Sequence, residues 1–228
     1  MIASVDWEAI ALSLRLAAIV VAILVVVGLP LAAWIVFHRR RWTFIVEAIV
    51  ALPLVLPPTV LGFYMLVAMG PRSPLGRLWV SITGHDLAFT FEALVLASLL
   101  YSLPFVVQPI VTAFSQIDTA LLEAAATLGA SRWRTFTSVI VPLGRDGIIA
   151  GAVLGFAHTL GEFGVVLMVG GNLPGVTRTV SVSIYDQVQA FDFAAANQTA
   201  LLLLGFSLAA LAAVYGLLRK PWTVAPGA

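Results

Sequence analysis

The sequence predicts an all-α integral membrane protein with five transmembrane helices. Three observations lead there. Of the 228 residues, 61% are hydrophobic and 10% charged, against about 25% charged in an ordinary soluble domain, and mean hydropathy is +1.06. Uncharged runs recur at 16–37, 48–71, 93–117, 147–161 (extended by 163–177 beyond Glu162) and 193–218. A bilayer core needs about 20 apolar residues per helix, and a soluble core has no use for runs of this length. Between the runs stand turn-forming clusters, Gly70-Pro71-Arg72-Ser73-Pro74 and Gly170-Gly171-Asn172-Leu173-Pro174-Gly175, which end helices.

The spans are expected near 12–37, 44–69, 89–111, 147–169 and 196–218. The first is not a signal peptide, which carries its positive charge before a short apolar region of about 7–15 residues. Here the run is longer and Arg39-Arg40-Arg41 follows it, as in an uncleaved anchor with its N-terminus outside. The second span contains Leu52-Pro53-Leu54-Val55-Leu56-Pro57-Pro58. Proline removes a backbone donor and breaks a helix, and in lipid that is tolerated only where the loosened backbone faces protein or water. Pro57 and Pro58 therefore either line a pathway or serve a packing kink. The fourth span contains Gly161-Glu162-Phe163-Gly164, with His158 one turn earlier on the same face. An ionisable residue in a span is a functional candidate. Glu162 is read first as a hydrogen-bond acceptor for backbone N–H groups exposed where Gly161 and Gly164 break the helix, and second as part of a gate.

Charge sets the orientation. One set of loops holds Arg39, Arg40, Arg41, Arg132, Arg134, Arg145, Arg219 and Lys220; the other holds Arg15, Arg72, Arg77 and Arg178. The basic side is cytoplasmic, which puts the C-terminus inside and the 118–146 loop on the cytoplasmic face. Glu47 is expected to pair with the Arg39–Arg41 cluster. His85, Asp86, Asp186 and Asp192 fall in outer loops and are expected to be merely solvated.

The polar loop has helical punctuation. Asp118 or Thr119 is placed to cap a short helix through Glu123-Ala124-Ala125-Ala126. Gly129 suits the left-handed residue that ends a helix, and Ser131 suits the cap of a second short helix carrying Arg132, Trp133 and Arg134. Two short helices at an angle form a knob for a partner's groove. The alternative is a solvated connector.

Several chemistries are excluded. The chain has no cysteine, so there is no disulfide or thiol chemistry, and three scattered histidines make a zinc site a poor reading. Net charge is +1, which recruits no nucleic acid. The single lysine, Lys220, sits in no phosphate-binding loop, and no G-x-S-x-G nucleophile motif is present.

The stretch Glu123-Ala124-Ala125, then Gly129, then Val139-Ile140-Val141-Pro142 resembles the E-A-A loop of ABC-transporter permeases. Val139 and Val141 stand where that family prefers Ile and Leu. Leu52–Pro58 with Thr59-Val60-Leu61-Gly62, the segment 69–76, Gly161-Glu162-Phe163-Gly164 and 172–179 widen the resemblance across the chain to the molybdate permeases. It implies a single transmembrane domain over 1–228 of the ABC importer permease type, in the bacterial or archaeal cytoplasmic membrane. It implies a pathway shared by two identical subunits and two cytoplasmic ATPase subunits, each receiving one loop built on Glu123, Ala124, Ala125, Gly129, Arg132 and Pro142. An external binding protein delivers the oxyanion. ATP and Mg bind the ATPase, and this chain binds no cofactor and catalyses nothing. Sulfate or tungstate permeases share some of these features. An ion channel or secondary transporter is the distant alternative, since it needs a coupling-ion site or selectivity ring, and no paired acids stand within the spans.

Overall fold

The computed structural model describes residues 5–38 and 41–217. Arg39, Arg40, Arg219 and Lys220 lie outside the described residues, and with them part of the charge count and of the pairing expected for Glu47; Glu47 and Arg41 form no ion pair among the described residues. The described chain is helical: α1 (Trp7–Phe37), α2 (Thr43–Val55), α3 (Pro58–Met69), α4 (Pro74–Thr83), α5 (Phe91–Ser115), α6 (Thr119–Thr127), α7 (Arg132–Thr135), a π turn (Phe136–Ile140), α8 (Val141–Leu143), α9 (Arg145–Gly161), α10 (Gly164–Gly170), α11 (Val180–Gln189) and α12 (Phe193–Leu217).

Three helices, α1, α5 and α12, are long and apolar enough to cross a membrane whole; two bent pairs bring the number to five if each pair is one span. The second predicted span is such a pair. α2 and α3 meet at 111°, because Leu56 precedes a proline and takes the extended conformation, while Pro58 opens the next helix at a position where its missing N–H costs nothing. The other bent pair joins residues 132–143 to α9 at 72°. The fourth predicted span is interrupted too, since α9 ends at Gly161 and α10 restarts at Gly164. The α4 and α11 helices were not expected. They lie in segments read as connectors, and each is opened by a hydroxyl cap, Ser73 to the N–H of Gly76 (2.8 Å) and Thr179 to that of Val182 (3.5 Å).

Helices α1, α5 and α9 pack on one another and carry the core, which includes Leu16, Val20, Val106, Val107, Ile110 and Phe114. The α5–α9 contact is unusually close. Gly147, Gly151 and Gly155 fall every fourth residue on one face of α9. A Cβ at Gly151 would stand 2.5 Å from the Val106 carbonyl oxygen, and one at Gly147 would stand 2.5 Å from that of Pro109. Small residues at this spacing let helix backbones approach where lipid offers no hydrophobic drive for association.

At the end of α1 opposite to the 118–146 loop, the helix is tied to the segment before α12. Ser13 Oγ accepts from the Val180 N–H (2.8 Å), and Ser183 donates to Asp6 (2.9 Å). Arg178 reaches Asp186 at 3.5 Å and Asp6 at 3.9 Å. Asp186, expected to be only solvated, is thus an ion-pair partner. Arg15 lies over the Phe91 ring, 4.6 Å from its centre, level with the start of α5.

Candidate functional site

The 118–146 loop folds as its caps dictate. Asp118 accepts from the Ala120 N–H (2.9 Å) and opens α6. Gly129 is left-handed, φ 77°, and turns the chain. Ser131 accepts from the Arg134 N–H (3.3 Å) and opens α7. The second helix is longer than expected, continuing through the π turn and Pro142 to Leu143. Glu123, Ala124, Gly129, Arg132 and Pro142 are exposed and Ala125 is half-buried. Leu128 is 87% and Trp133 73% exposed. These are large apolar side chains outside any apolar run, one at the C-cap of α6 and one on α7.

The second group of candidates converges on a cavity of about 580 Å³. Pro58, Gly161, Glu162 and Gly164 line it, with Thr59, Tyr101, Ala157, His158 and Phe163. Pro57 is not among the lining residues; it is the cap of α3. The α3 start and the α9–α10 break are in contact, since a Cβ on Gly164 would meet Pro58 Cβ at 2.8 Å.

Glu162 does not serve backbone donors. It is 4% exposed and its Oε2 accepts from Ser98 Oγ at 2.8 Å. Among the described residues its Oε1 has no partner, and no side chain caps the start of α10. The reason is local geometry: Glu162 is extended (φ −65°, ψ 135°), which turns its side chain toward α5 rather than forward over α10. One turn along α5, Ser102 Oγ bonds both His158 Nδ1 (2.9 Å) and Thr159 Oγ1 (2.8 Å). The His158 ring stacks on Phe105 with centres 3.7 Å apart and leans on Tyr101 at 4.8 Å. Sequence reasoning missed Ser98, Ser102, Tyr101 and Phe105. The available signal was two serines four residues apart in an apolar helix, which fall on one face.

A buried carboxylate with one donor depends on it. Ser98→Ala leaves both Glu162 oxygens without a partner, at a cost of about 1–3 kcal/mol. Thermal unfolding in detergent is expected to show a lower Tm for Ser98→Ala and for Glu162→Ala, and a smaller loss for Glu162→Gln, whose amide oxygen still accepts from Ser98. Equal Tm for all three and the parent would refute a structural role for the pair.

Comparison with known proteins gives the family and the fold. The family described as "Binding-protein-dependent transport system inner membrane component" matches residues 24–220. The molybdenum transport system permease protein ModB of Azotobacter vinelandii is 53% identical over 210 residues, covering 92% of this chain and 93% of that protein. The protein of the same name from Escherichia coli K12 is 38% identical over 188 residues, covering 81% and 80%. In fold, the chain is similar to the inward-facing MetNI methionine ABC transporter, with a TM-score of 0.73 at 18% identity over 94% of this chain and 95% of that one. It is also similar to a bacterial ABC transporter that imports alginate, with a TM-score of 0.75 at 17% identity over 94% and 79%. The chain therefore belongs to the binding-protein-dependent transport system inner membrane components, and among them to the molybdenum transport permeases.

Proposed function

We propose that this chain is the membrane subunit of an ATP-driven importer of molybdate, acting as a pair of identical copies. Each copy offers its α6–Gly129–α7 knob to a cytoplasmic ATPase subunit, which binds ATP and Mg, and an external binding protein supplies the oxyanion. The observation that carries the reading is the knob itself. Glu123, Arg132 and Trp133 are exposed on two capped helices and Leu128 in the turn between them, a shape and chemistry suited to a groove. Closure of the ATPase pair would draw the two knobs together. The α5–α9 contact would transmit that motion, since each helix adjoins the knob through a short connection. No residue of this chain performs chemistry on the anion.

The test is reconstitution. Vesicles holding this chain, its ATPase and its binding protein are expected to take up molybdate only with ATP, and the chain alone is expected to hydrolyse none. A titration of the binding protein with molybdate, tungstate and sulfate identifies the cargo; tightest binding of sulfate would overturn molybdate.

Orientation is tested separately. The chain has no native cysteine, so single cysteines report cleanly. Arg77→Cys and Val176→Cys, at exposed positions, are expected to react with an impermeant thiol reagent in intact cells, and Arg132→Cys only in inverted vesicles. Reaction of Arg132→Cys in intact cells would reverse the topology.

A further inference from the structure

Two cavities lie end to end along one face of α5. The first is the Glu162 cavity, lined by Tyr101 of α5. The second, of about 480 Å³, is lined by Phe105, Gln108 and Thr112 of the same helix and by its C-cap residue Gln116. Positions 101, 105, 108, 112 and 116 are spaced 4, 3, 4 and 4, which is one helical face. Opposite them, α9 supplies Gly147, Ala150 and Leu154 to the second cavity and Ala157, His158 and Gly161 to the first, again one face. Even the α2–α3 break is shared, with Leu54 on the second cavity and Pro58 on the first. From Tyr101 to Gln116 the track covers about 22 Å at 1.5 Å per residue, most of a bilayer core of about 30 Å. It leads from the Glu162 cavity to the end of α5 that adjoins the knob.

Among apolar neighbours that include Pro104, Pro109 and Ala113, the second cavity carries three polar side chains. Gln108, Thr112 and Gln116 are exposed. Among the described residues neither glutamine side chain has a hydrogen-bond partner. An amide facing hydrocarbon unpaired is costly, so this face meets water or protein. Neither cavity is lined by Lys or Arg, and the one carboxylate in the two linings, Glu162, is buried at 4% exposure and turned to Ser98. Neutral hydroxyl and amide donors suit an anion that must be released again, because conduction requires binding weak enough to leave.

What separates the two cavities is the aromatic group. Phe105 belongs to one lining and Tyr101 and His158 to the other, with His158 stacked on Phe105 at 3.7 Å and 21°. Ser102 holds the imidazole by its Nδ1. Resting on the proposed two-copy pathway, we propose that the Tyr101–His158–Phe105 stack is the closed barrier to the oxyanion between an outer and an inner compartment, and that Thr59, Tyr101, Gln108, Thr112 and Gln116 supply the neutral hydrogen-bond track on either side. The stack blocks by bulk, with the Phe105 and His158 rings face to face 3.7 Å apart.

The experiment places one cysteine in each compartment, Ala157→Cys and Thr112→Cys, in the complete transporter with its ATPase and binding protein, without ATP. Intact cells and inverted vesicles are treated with a membrane-impermeant thiol reagent. With the stack intact, Ala157→Cys is expected to react from outside and Thr112→Cys from inside only. Adding Phe105→Ala, or His158→Ala in parallel should the first variant fail to accumulate, is expected to make Thr112→Cys react from outside at the rate of Ala157→Cys. Reaction of Thr112→Cys from outside with the stack intact, reaction of Ala157→Cys from inside only, or no change on removing either ring would overturn the barrier while leaving the pathway standing. Reaction of neither cysteine from either side would overturn the pathway reading itself.

Discussion

Replacing Gly151 with leucine is expected to remove the chain from the membrane fraction rather than slow its transport. A Cβ at this position stands 2.5 Å from the Val106 carbonyl oxygen and 3.4 Å from Val106 Cα, so the neighbour is backbone and cannot rotate away. To accept the side chain, α5 and α9 must separate. Overpacking a tight core costs about 1–3 kcal/mol, occasionally more, and here the contact joins two of the three helices that carry the core. Alanine at 151 already introduces the clash, so it is expected to lower Tm although alanine outranks glycine in helices by about 1 kcal/mol. The control is Gly205→Ala on α12, where a Cβ meets nothing within 4 Å; it is expected to hold or raise Tm. Immunoblots of membranes and unfolding scans in detergent measure both. Normal abundance of Gly151→Leu would mean that the close approach of α5 and α9 does not hold the bundle together.

Glu123→Arg and Gly129→Val are expected to do the reverse, leaving abundance near normal while abolishing uptake. Both positions are exposed, and a Cβ at Gly129 meets no atom within 4 Å. The glycine matters for its backbone. At φ 77° an L-residue is strained by about 1–2 kcal/mol, more for a β-branched one, and the turn relaxes by swinging α6 against α7. That is small against the stability of the bundle but large against the geometry of a docking surface. Reversal of charge at Glu123 acts on the contact instead. The measurements are membrane abundance, retention of the ATPase on purification, and uptake. A partial rescue of Glu123→Arg by an acidic substitution in the ATPase groove would locate the contact. Normal uptake by both variants would reduce the loop to a connector.

The two predictions differ because the two glycines were readable to different degrees. Gly129 lies between Asp118 and Ser131, and its role follows from caps and turn residues within a few positions of it. The same holds for the extended Leu56 before Pro57 and the break at Glu162: the chain's own neighbours decide them. The sequence-based expectation for Glu162 failed at the next step. Its donor, Ser98, is 64 residues away, and no local signal says which helix the side chain faces. The bend of 111° between α2 and α3 is of the same kind, for proline dictates that a helix breaks but not by how much.

Composition, apolar run length and local punctuation thus determined, without any structure, that this is a helical membrane protein with five candidate spans and a capped two-helix loop, because those properties arise from single residues and their immediate neighbours. Tertiary structure alone decided that Gly151 meets Val106, that Ser98 meets Glu162, that Phe105 stacks on His158, and that one face of α5 borders two cavities. Such contacts join segments dozens of residues apart. In a chain whose helices are apolar nearly all round, the pattern of hydrophobicity does not say which face turns inward, and only the packing of one helix against another selects it.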